Sequence, residues 1–213
     1  MRGTAPVRVQ RLSVPTSLRL PFGIAAGGLA ACYSLYGFFG ALAPSLLRGL
    51  LGPENLTDGT LLVALMFGSA ALIQLGLGQV RDRRALLVGL PLIIAAVVGL
   101  LLAFPLASVV LLAGSSVVLG IGVGYAYMGA VTLADRIAPV ALRGEILSAF
   151  FVAGYLALAV PTIGVGLAAD RIGLGPSALL FGIVLAAFAL LLFFVLLGTP
   201  TPPGGEGRPR SSR

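Results

Sequence analysis

A short charged segment between two long apolar runs constrains this chain more than any other feature. Residues 78–84 read Gly-Gln-Val-Arg-Asp-Arg-Arg and lie between the apolar stretches 61–77 and 85–104. A charged side chain at the centre of a bilayer costs roughly 2.5–3.5 kcal/mol, so this segment cannot lie in lipid. The flanking runs are therefore predicted to be separate spanning helices joined by a tight turn. Its three arginines place that turn on the cytoplasmic side.

The composition predicts an integral membrane protein. Hydrophobic residues make up 58% of the chain and charged residues only 10%, with a mean hydropathy of +1.08, whereas soluble domains are about 25% charged. The net charge is +7, and all fourteen basic residues are arginines that lie mostly in the tails and between apolar runs. This distribution is typical of topology signals, so we expect no nucleic-acid partner.

Several residue types that chemistry requires are absent. The sequence has no lysine, which excludes a phosphate-binding loop of the Walker type and a Schiff base. It has no histidine, which excludes His-ligated haem, His-based zinc sites and Ser/His hydrolysis. Its one cysteine, Cys32, cannot form an intrachain disulfide. We therefore predict a protein that binds, moves or anchors something, with no enzymatic activity, no catalytic or metal-binding residues and no cofactor.

The chain divides into three parts. A basic N-terminal segment, 1–20, and a C-terminal tail, 199–213, rich in Pro, Gly, Ser and Arg, are predicted to be flexible or disordered. The six-helix transmembrane domain is predicted to occupy 21–198. Its apolar runs, each long enough to span a bilayer, cover about 21–47, 60–80, 85–104, 108–133, 145–168 and 177–197. Residues 48–59 are predicted to be a polar link.

The arginines support this alternation. With six spans, twelve of the fourteen arginines lie on the side of the two tails, and only Arg48 and Arg171 lie on the other side. One missed helix would scramble such a pattern, and short loops rich in arginine stay in the cytoplasm. We therefore expect a multi-pass protein of the cytoplasmic (plasma) membrane with both termini in the cytoplasm.

Polar side chains are unevenly distributed among the spans. The third run contains none and the sixth none after Ser177 at its start, whereas the other four carry Ser, Thr, Tyr, Cys or Gln. Polar groups in hydrocarbon need protein or water partners, so these four helices are predicted to line an interior. The alternative is that each Ser or Thr bonds to its own helix and that the tyrosines lie near the interfaces. In the fourth run, Gly120, Gly122, Gly124 and Gly129 are interpreted as close-packing positions rather than as a flexible gate.

Three stretches together resemble a known family. Residues 36–44 read Tyr-Gly-Phe-Phe-Gly-Ala-Leu-Ala-Pro, and 78–84 keep Gly78, Asp82 and Arg83 of the loop motif G-x-x-x-D-[RK]-x-G-[RK]-[RK], although Ala85 replaces its glycine. The third stretch comprises 139–151 with Gly154, Pro161 and Gly164. Over roughly 5–198, the chain resembles the C-terminal six helices of the major facilitator superfamily, in particular its actinobacterial-style efflux members.

The resemblance implies a fold and a function. The fold would be an all-α half-bundle of two inverted three-helix repeats, 22–104 and 108–197, with the third and sixth helices outermost. The function would be secondary transport of a small, amphipathic molecule by alternating access, with efflux favoured. Only one half is present, so a second six-helix half or self-association would be required. The alternative is a non-transporting membrane scaffold or accessory subunit.

The resemblance also implies site residues. It places the polar helices around a central path, for which the candidates are Tyr33, Tyr36, Gln74, Ser116, Tyr125 and Tyr155. It further implies a conformational latch at Asp82 and Arg83, although charge balance among the neighbouring arginines explains Asp82 equally well. No acid lies within a span, so a residue that couples transport to protons would lie in the other half.

Overall fold

The structure, a computed structural model, describes residues 15–51, 56–77, 83–103 and 105–199, and these contain no β-strand. This confirms the all-α prediction for the described part of the chain. The α-helices are α1 (Arg19–Leu51), α2 (Leu56–Leu72), α3 (Arg83–Ala103), α4 (Val109–Ile137), α5 (Arg143–Ile172) and α6 (Leu174–Gly198). Two short 3₁₀ turns, Thr16–Leu18 and Val140–Leu142, precede α1 and α5.

The helices α1, α3, α4, α5 and α6 are long and apolar enough to cross a membrane. Their candidate spans are Arg19–Ala41, Arg83–Ala103, Val109–Ile137, Val140–Ile172 and Leu174–Gly198. The remaining apolar helix covers the 17 residues Thr60–Gly76. It ends in one wide π turn, Ile73–Leu77, in which Gly76 has a φ of 113°. Only glycine adopts that angle readily, so the helix terminates there.

The helices extend beyond several predicted boundaries. The sequence predicts a polar link over 48–59, but α1 continues to Leu51 and α2 begins at Leu56. The helix α1 also begins at Arg19, inside the segment predicted to be flexible. The helix α6 begins at Leu174 and accommodates Pro176 in its first turn, where proline costs nothing because that N–H has no partner within the helix. Residues 1–14, most of the charged 78–84 segment and the tail after 199 lie outside the described residues.

The helices α1 and α4 form the centre of the bundle. The helix α1 packs most extensively on α5 and also on α4 and α6, while α4 packs on α3, α2 and α1. The helix α2 makes its main contact with α4, and α5 with α1. If α1–α3 and α4–α6 are taken as two units, the middle helix of each unit therefore packs against the first helix of the other unit.

Glycines bring α4 close to two neighbouring helices. A Cβ atom at Gly122 would lie 2.9 Å from the Ile93 backbone nitrogen and 3.1 Å from the Gly89 carbonyl oxygen, both on α3. A Cβ at Gly124 would lie 3.0 Å from the Ala70 carbonyl oxygen on α2. At Gly120 it would overlap the Met66 carbonyl. The structure confirms close packing as the role of these three glycines.

Most of the arginines that the structure describes lie at one end of the bundle. Arg19 and Arg83 begin α1 and α3, Arg136 lies in the last turn of α4, and Arg143 begins α5 and forms an ion pair with Asp135. Arg171 lies in the last turn of α5, at the opposite end. We call the first of these the arginine-rich end.

A single residue, Gly173, separates α5 from α6. Its φ of 87° and ψ of 159° fall in a region that only glycine occupies without strain. We expect Gly173→Ala to lower the free energy of unfolding by about 1–3 kcal/mol. Gly175→Ala is the matched control, because no atom lies within 4 Å of its added Cβ, and alanine in a helix is favoured by about 0.5–1 kcal/mol. Unfolding curves in mixed micelles should therefore shift in opposite directions; a shared direction would contradict the backbone argument.

Candidate functional site

Four aromatic rings form a continuous row across three helices. The ring centroids of Tyr155 on α5 and Tyr33 on α1 are 5.5 Å apart, in an edge-to-face arrangement. Tyr33 and Tyr36 follow at 6.0 Å, and Tyr36 stacks on Phe67 of α2 at 5.0 Å. These separations are those of favourable aromatic pairs. We call Tyr155, Tyr33, Tyr36 and Phe67 the aromatic row.

Two further polar side chains, one from α4 and one from the end of α2, lie beside the aromatic row. Tyr127 on α4 lies close enough to Tyr33 and Tyr155 to interact with both electrostatically. The side chain of Gln74, at the end of α2, lies close enough to the Tyr36 hydroxyl to interact with it. The row therefore collects hydroxyl and amide groups from the four helices that carry polar residues.

The row lies near the middle of the helices that carry it. Tyr33 is fourteen positions from Arg19 and Tyr155 is twelve positions from Arg143. At 1.5 Å per residue these rings lie roughly 18–21 Å from the arginine-rich end, and a hydrocarbon core is about 30 Å thick. In a bundle that spans a bilayer, this distance is close to midplane depth.

The row is open on one side. Tyr155 is 62% exposed and Phe67 is 39% exposed, whereas Tyr33 and Tyr36 are half-buried. With Tyr127 and Gln74, its surface consists of ring faces, four hydroxyls and one amide, with no charged side chain among these residues. Such a surface binds apolar groups by stacking and cations through the ring faces, the latter with about 0.5–2 kcal/mol per contact.

Close helix packing holds α5 against α1 beside the row. The Ser34 hydroxyl donates to the Ala157 carbonyl oxygen at 2.8 Å. A Cβ at Gly37 would lie 2.8 Å from the Leu158 carbonyl oxygen, so a larger residue there would force the helices apart. One turn earlier, Gly154 lies against Leu29 and Tyr33. The positions of Tyr33 and Tyr155 are thus set by backbone contact between their helices.

Two candidates from the sequence lie elsewhere. Tyr125 is two residues from Tyr127, which turns it about 200° around α4 and away from the row. The Ser116 hydroxyl donates to the Leu112 carbonyl oxygen on its own helix at 2.9 Å. The structure therefore brings Tyr33, Tyr36, Gln74 and Tyr155 together and leaves these two out.

Ser116 lines a separate apolar cavity near the other end of the bundle. This cavity has a volume of about 60 Å³ and lies among α1, α2, α3, α4 and α6. Phe38 and Phe181, whose rings stack at 4.5 Å, form part of its wall. Its other lining side chains are aliphatic or aromatic apart from Ser116, so the cavity offers no polar group that is free to orient a ligand.

Several other hydroxyls bond to the backbone of their own helix, which is the alternative to a lined interior. Ser69, Thr132 and Thr162 each donate to a carbonyl oxygen three or four residues earlier on their own helix. These bonds satisfy polar groups in hydrocarbon without any interior path. The candidate site therefore rests on the tyrosines and Gln74, not on the serines and threonines.

Arg83 caps a helix. Its guanidinium donates to the carbonyl oxygens of Leu196 and Thr199, at the C-terminal end of α6. A cation there satisfies carbonyls that have no partner within the helix and interacts favourably with the helix dipole. Asp82, the other predicted latch residue, lies outside the described residues. The contact of Arg83 lies within this six-helix unit, where it joins α3 to α6.

The Arg83 cap gives a stability prediction. We expect Arg83→Gln to lower the free energy of unfolding by about 1.5–3 kcal/mol, the range for hydrogen bonds to charged groups. Arg84→Gln is the matched control, because Arg84 is exposed and surface changes usually have little effect. Unfolding in mixed micelles measures both. Equal stability of the two variants would show that the cap contributes nothing.

Sequence reasoning missed two members of the site. Phe67 has no polar atom, so a search for polar residues in the spans does not select it. Tyr127 is as polar as Tyr125, and only the rotation of α4 distinguishes them. The glycines indicate how α4 is rotated, because Gly120 and Gly124 face α2 and Gly122 faces α3.

The described residues contain no group of three or more His, Cys, Asp or Glu side chains that could hold a metal ion. Comparison of the chain with protein-family models, with characterised proteins and with solved structures finds no match.

Proposed function

We propose that this chain is one six-helix half of a secondary transporter of the major facilitator type. It would move a small amphipathic molecule across the cytoplasmic membrane by alternating access, with efflux favoured. The aromatic row is the observation that carries the proposal. A half-exposed row of rings and hydroxyls at midplane depth suits a molecule that is bound and released.

The packing of the helices supports this proposal. In transporters built from inverted repeats, two similar three-helix units interlock about an axis in the membrane plane. Here α2 packs mainly on α4, and α5 packs mainly on α1. For this pair of contacts, exchange of the units α1–α3 and α4–α6 converts one into the other, as expected for an inverted repeat.

The proposed substrate is uncharged or cationic. The acids whose side chains the structure describes, Asp135, Glu145 and Asp170, lie at helix ends and not in the aromatic row. A lipophilic cation would be held by ring faces at Tyr33, Tyr36 and Tyr155, with the hydroxyls positioned to accept or donate hydrogen bonds. The residue that couples transport to an ion gradient would be supplied by the second half.

The open side of the row is proposed to face that second half. Together, two halves would enclose the row and form a path closed to lipid. Either a separate N-terminal six-helix half or a second copy of this chain would meet the requirement.

Transport in cells tests the function. We would express the chain alone, an N-terminal six-helix half of a major facilitator transporter alone, and both together, and measure efflux of ethidium. Energy-dependent efflux only with both, or with this chain alone if it self-associates, would support the transporter. Copurification of the two halves with no movement of ethidium or of a panel of neutral amphipathic dyes would instead favour a membrane scaffold.

Labelling tests the proposed orientation. Val140→Cys and Leu106→Cys introduce thiols at exposed positions at opposite ends of the bundle, while the native Cys32 is buried. A membrane-impermeant maleimide added to intact cells should label Cys at 106 and not at 140. Labelling of both from outside would overturn the topology with cytoplasmic termini.

A further inference from the structure

A groove opens between α1 and α6 at the arginine-rich end, well apart from the aromatic row. Its volume is about 180 Å³. Arg19 and Gly23 contribute from α1, and Phe188, Leu191 and Val195 contribute from α6. The groove thus has a cation at its mouth and apolar walls below it.

Two of the glycines of α1, Gly23 and Gly27, shape the groove. No atom lies within 4 Å of a Cβ added at Gly23, so this position leaves open space. One turn deeper, a Cβ at Gly27 would lie 3.1 Å from Leu192, where α1 and α6 meet closely. From Arg19 to Gly27 the helix rises about 12 Å. The groove is therefore a narrow channel that closes toward the membrane centre.

The charge at the mouth of the groove and the apolar walls below it indicate which kind of molecule binds there. Arg19 is exposed, and no carboxylate of the described residues pairs with it. It begins the first spanning helix, so its guanidinium lies at the level of lipid headgroups, while Leu191 and Val195 lie in the hydrocarbon layer below. A phosphate next to a guanidinium gains a charge-assisted hydrogen bond, and basic pockets between helices on the cytoplasmic side bind anionic headgroups.

We propose that this groove binds one anionic phospholipid, with its phosphate at Arg19 and one acyl chain along Gly23, Phe188 and Leu191. The lipid would fill the gap between α1 and α6 at the end where Arg83 holds α6 to α3. This inference requires only that the chain spans a membrane and is independent of any transport activity.

The absence of tryptophan from the chain permits a direct test. Phe188→Trp places a single fluorophore in the groove, and Phe194→Trp places one on α6, 60% exposed and turned away from it. Each variant is reconstituted into phosphatidylcholine vesicles with a small fraction of acyl-brominated phosphatidylglycerol or, separately, acyl-brominated phosphatidylcholine. Bromine quenches only a tryptophan that it touches, and at each position the two lipids are compared at one depth.

We expect brominated phosphatidylglycerol to be enriched about fivefold over brominated phosphatidylcholine at position 188, since one arginine near the surface contributes about that factor. At position 194 the two lipids should quench equally. Arg19→Gln in the Phe188→Trp background should abolish the preference. Arg171→Gln, at the other end of the bundle, should preserve it.

A second pair of variants tests the acyl-chain contact. Gly23→Leu should fill the channel and reduce quenching at 188 by either lipid, whereas Gly68→Leu, at an exposed helical glycine with open space around it, should not. Millimolar inorganic phosphate should leave quenching unchanged, because a free anion lacks the chain. Equal quenching by both lipids at 188, or no effect of Arg19→Gln, would overturn the proposal and indicate that residues 1–14 or bulk lipid occupy the groove. If inorganic phosphate displaced the brominated lipid, the groove would be a simple anion site and not a lipid site.

Discussion

Replacement of Gly122 by leucine is expected to destabilise the bundle more than any other single change considered. Its Cβ alone would lie 2.9 Å from the Ile93 nitrogen and 3.0 Å from the Leu92 Cβ atom. These are atoms of α3 that cannot rotate away, since they are backbone or are fixed directly to it. Overpacking of a flexible core costs about 1–3 kcal/mol, and we expect this variant to lie at or above the upper limit.

The same helix provides the control. Gly114 also lies in α4, but it is exposed and no atom lies within 4 Å of its added Cβ. Gly114→Leu should therefore fold normally. Size-exclusion profiles and thermal unfolding in the same detergent measure both variants. Similar unfolding temperatures for the two leucine variants would show that α3 and α4 are not held by this contact.

An intermediate variant separates the size of the side chain from the loss of glycine. Gly122→Ala adds one methyl group, which the structure places against Gly89, and should cause a smaller loss than leucine. Gly89→Ala approaches the same contact from α3, where the Cβ would lie 2.6 Å from the Gly122 carbonyl oxygen. Because the two positions share one contact, their effects should not be additive.

The fold class could be predicted because a bilayer leaves few choices. A backbone in hydrocarbon must satisfy its own hydrogen bonds, so a long apolar run becomes a helix. Five predicted spans are confirmed on length and composition, and the sixth apolar helix is described over Thr60–Gly76. The boundaries were harder to predict. Polar residues, glycine and proline near a membrane surface can continue a helix, as Arg48 and Pro176 do.

The site could be predicted only in part. Depth follows from the number of residues along a helix, and Tyr33, Tyr36 and Tyr155 therefore meet at one level. The face that a residue presents depends on how its helix is rotated, which is decided by packing with other helices. Tyr125 was selected and Tyr127 missed because that rotation was unknown from the hydrophobic pattern, as α4 is apolar on nearly all sides. The position of its glycines would have distinguished them.

The aromatic row gives the largest expected effect on function. We expect Tyr155→Ala to weaken binding of tetraphenylphosphonium and to reduce efflux of ethidium in the assembled transporter. One cation–π contact corresponds to roughly 2- to 30-fold in affinity. Tyr155 is the best first choice, because at 62% exposure its removal creates little cavity. Tyr33→Ala and Tyr36→Ala should weaken binding as well, with some loss of stability because both rings are half-buried.

Tyr125→Ala is the matched control, since it removes the same side chain from a position outside the row. Binding, efflux and thermal unfolding are measured on the same preparations. If Tyr155→Ala loses affinity while it keeps its unfolding temperature, and Tyr125→Ala keeps both, the row binds substrate. Tyr155→Phe then separates the ring from the hydroxyl, because a cation held by the ring face should tolerate the loss of oxygen.

If stability and binding fell together in every row variant, and equally in Tyr125→Ala, the rings would be packing elements. The proposed path would then have to be abandoned, because no other cluster among the described residues combines exposure, midplane depth and polar groups.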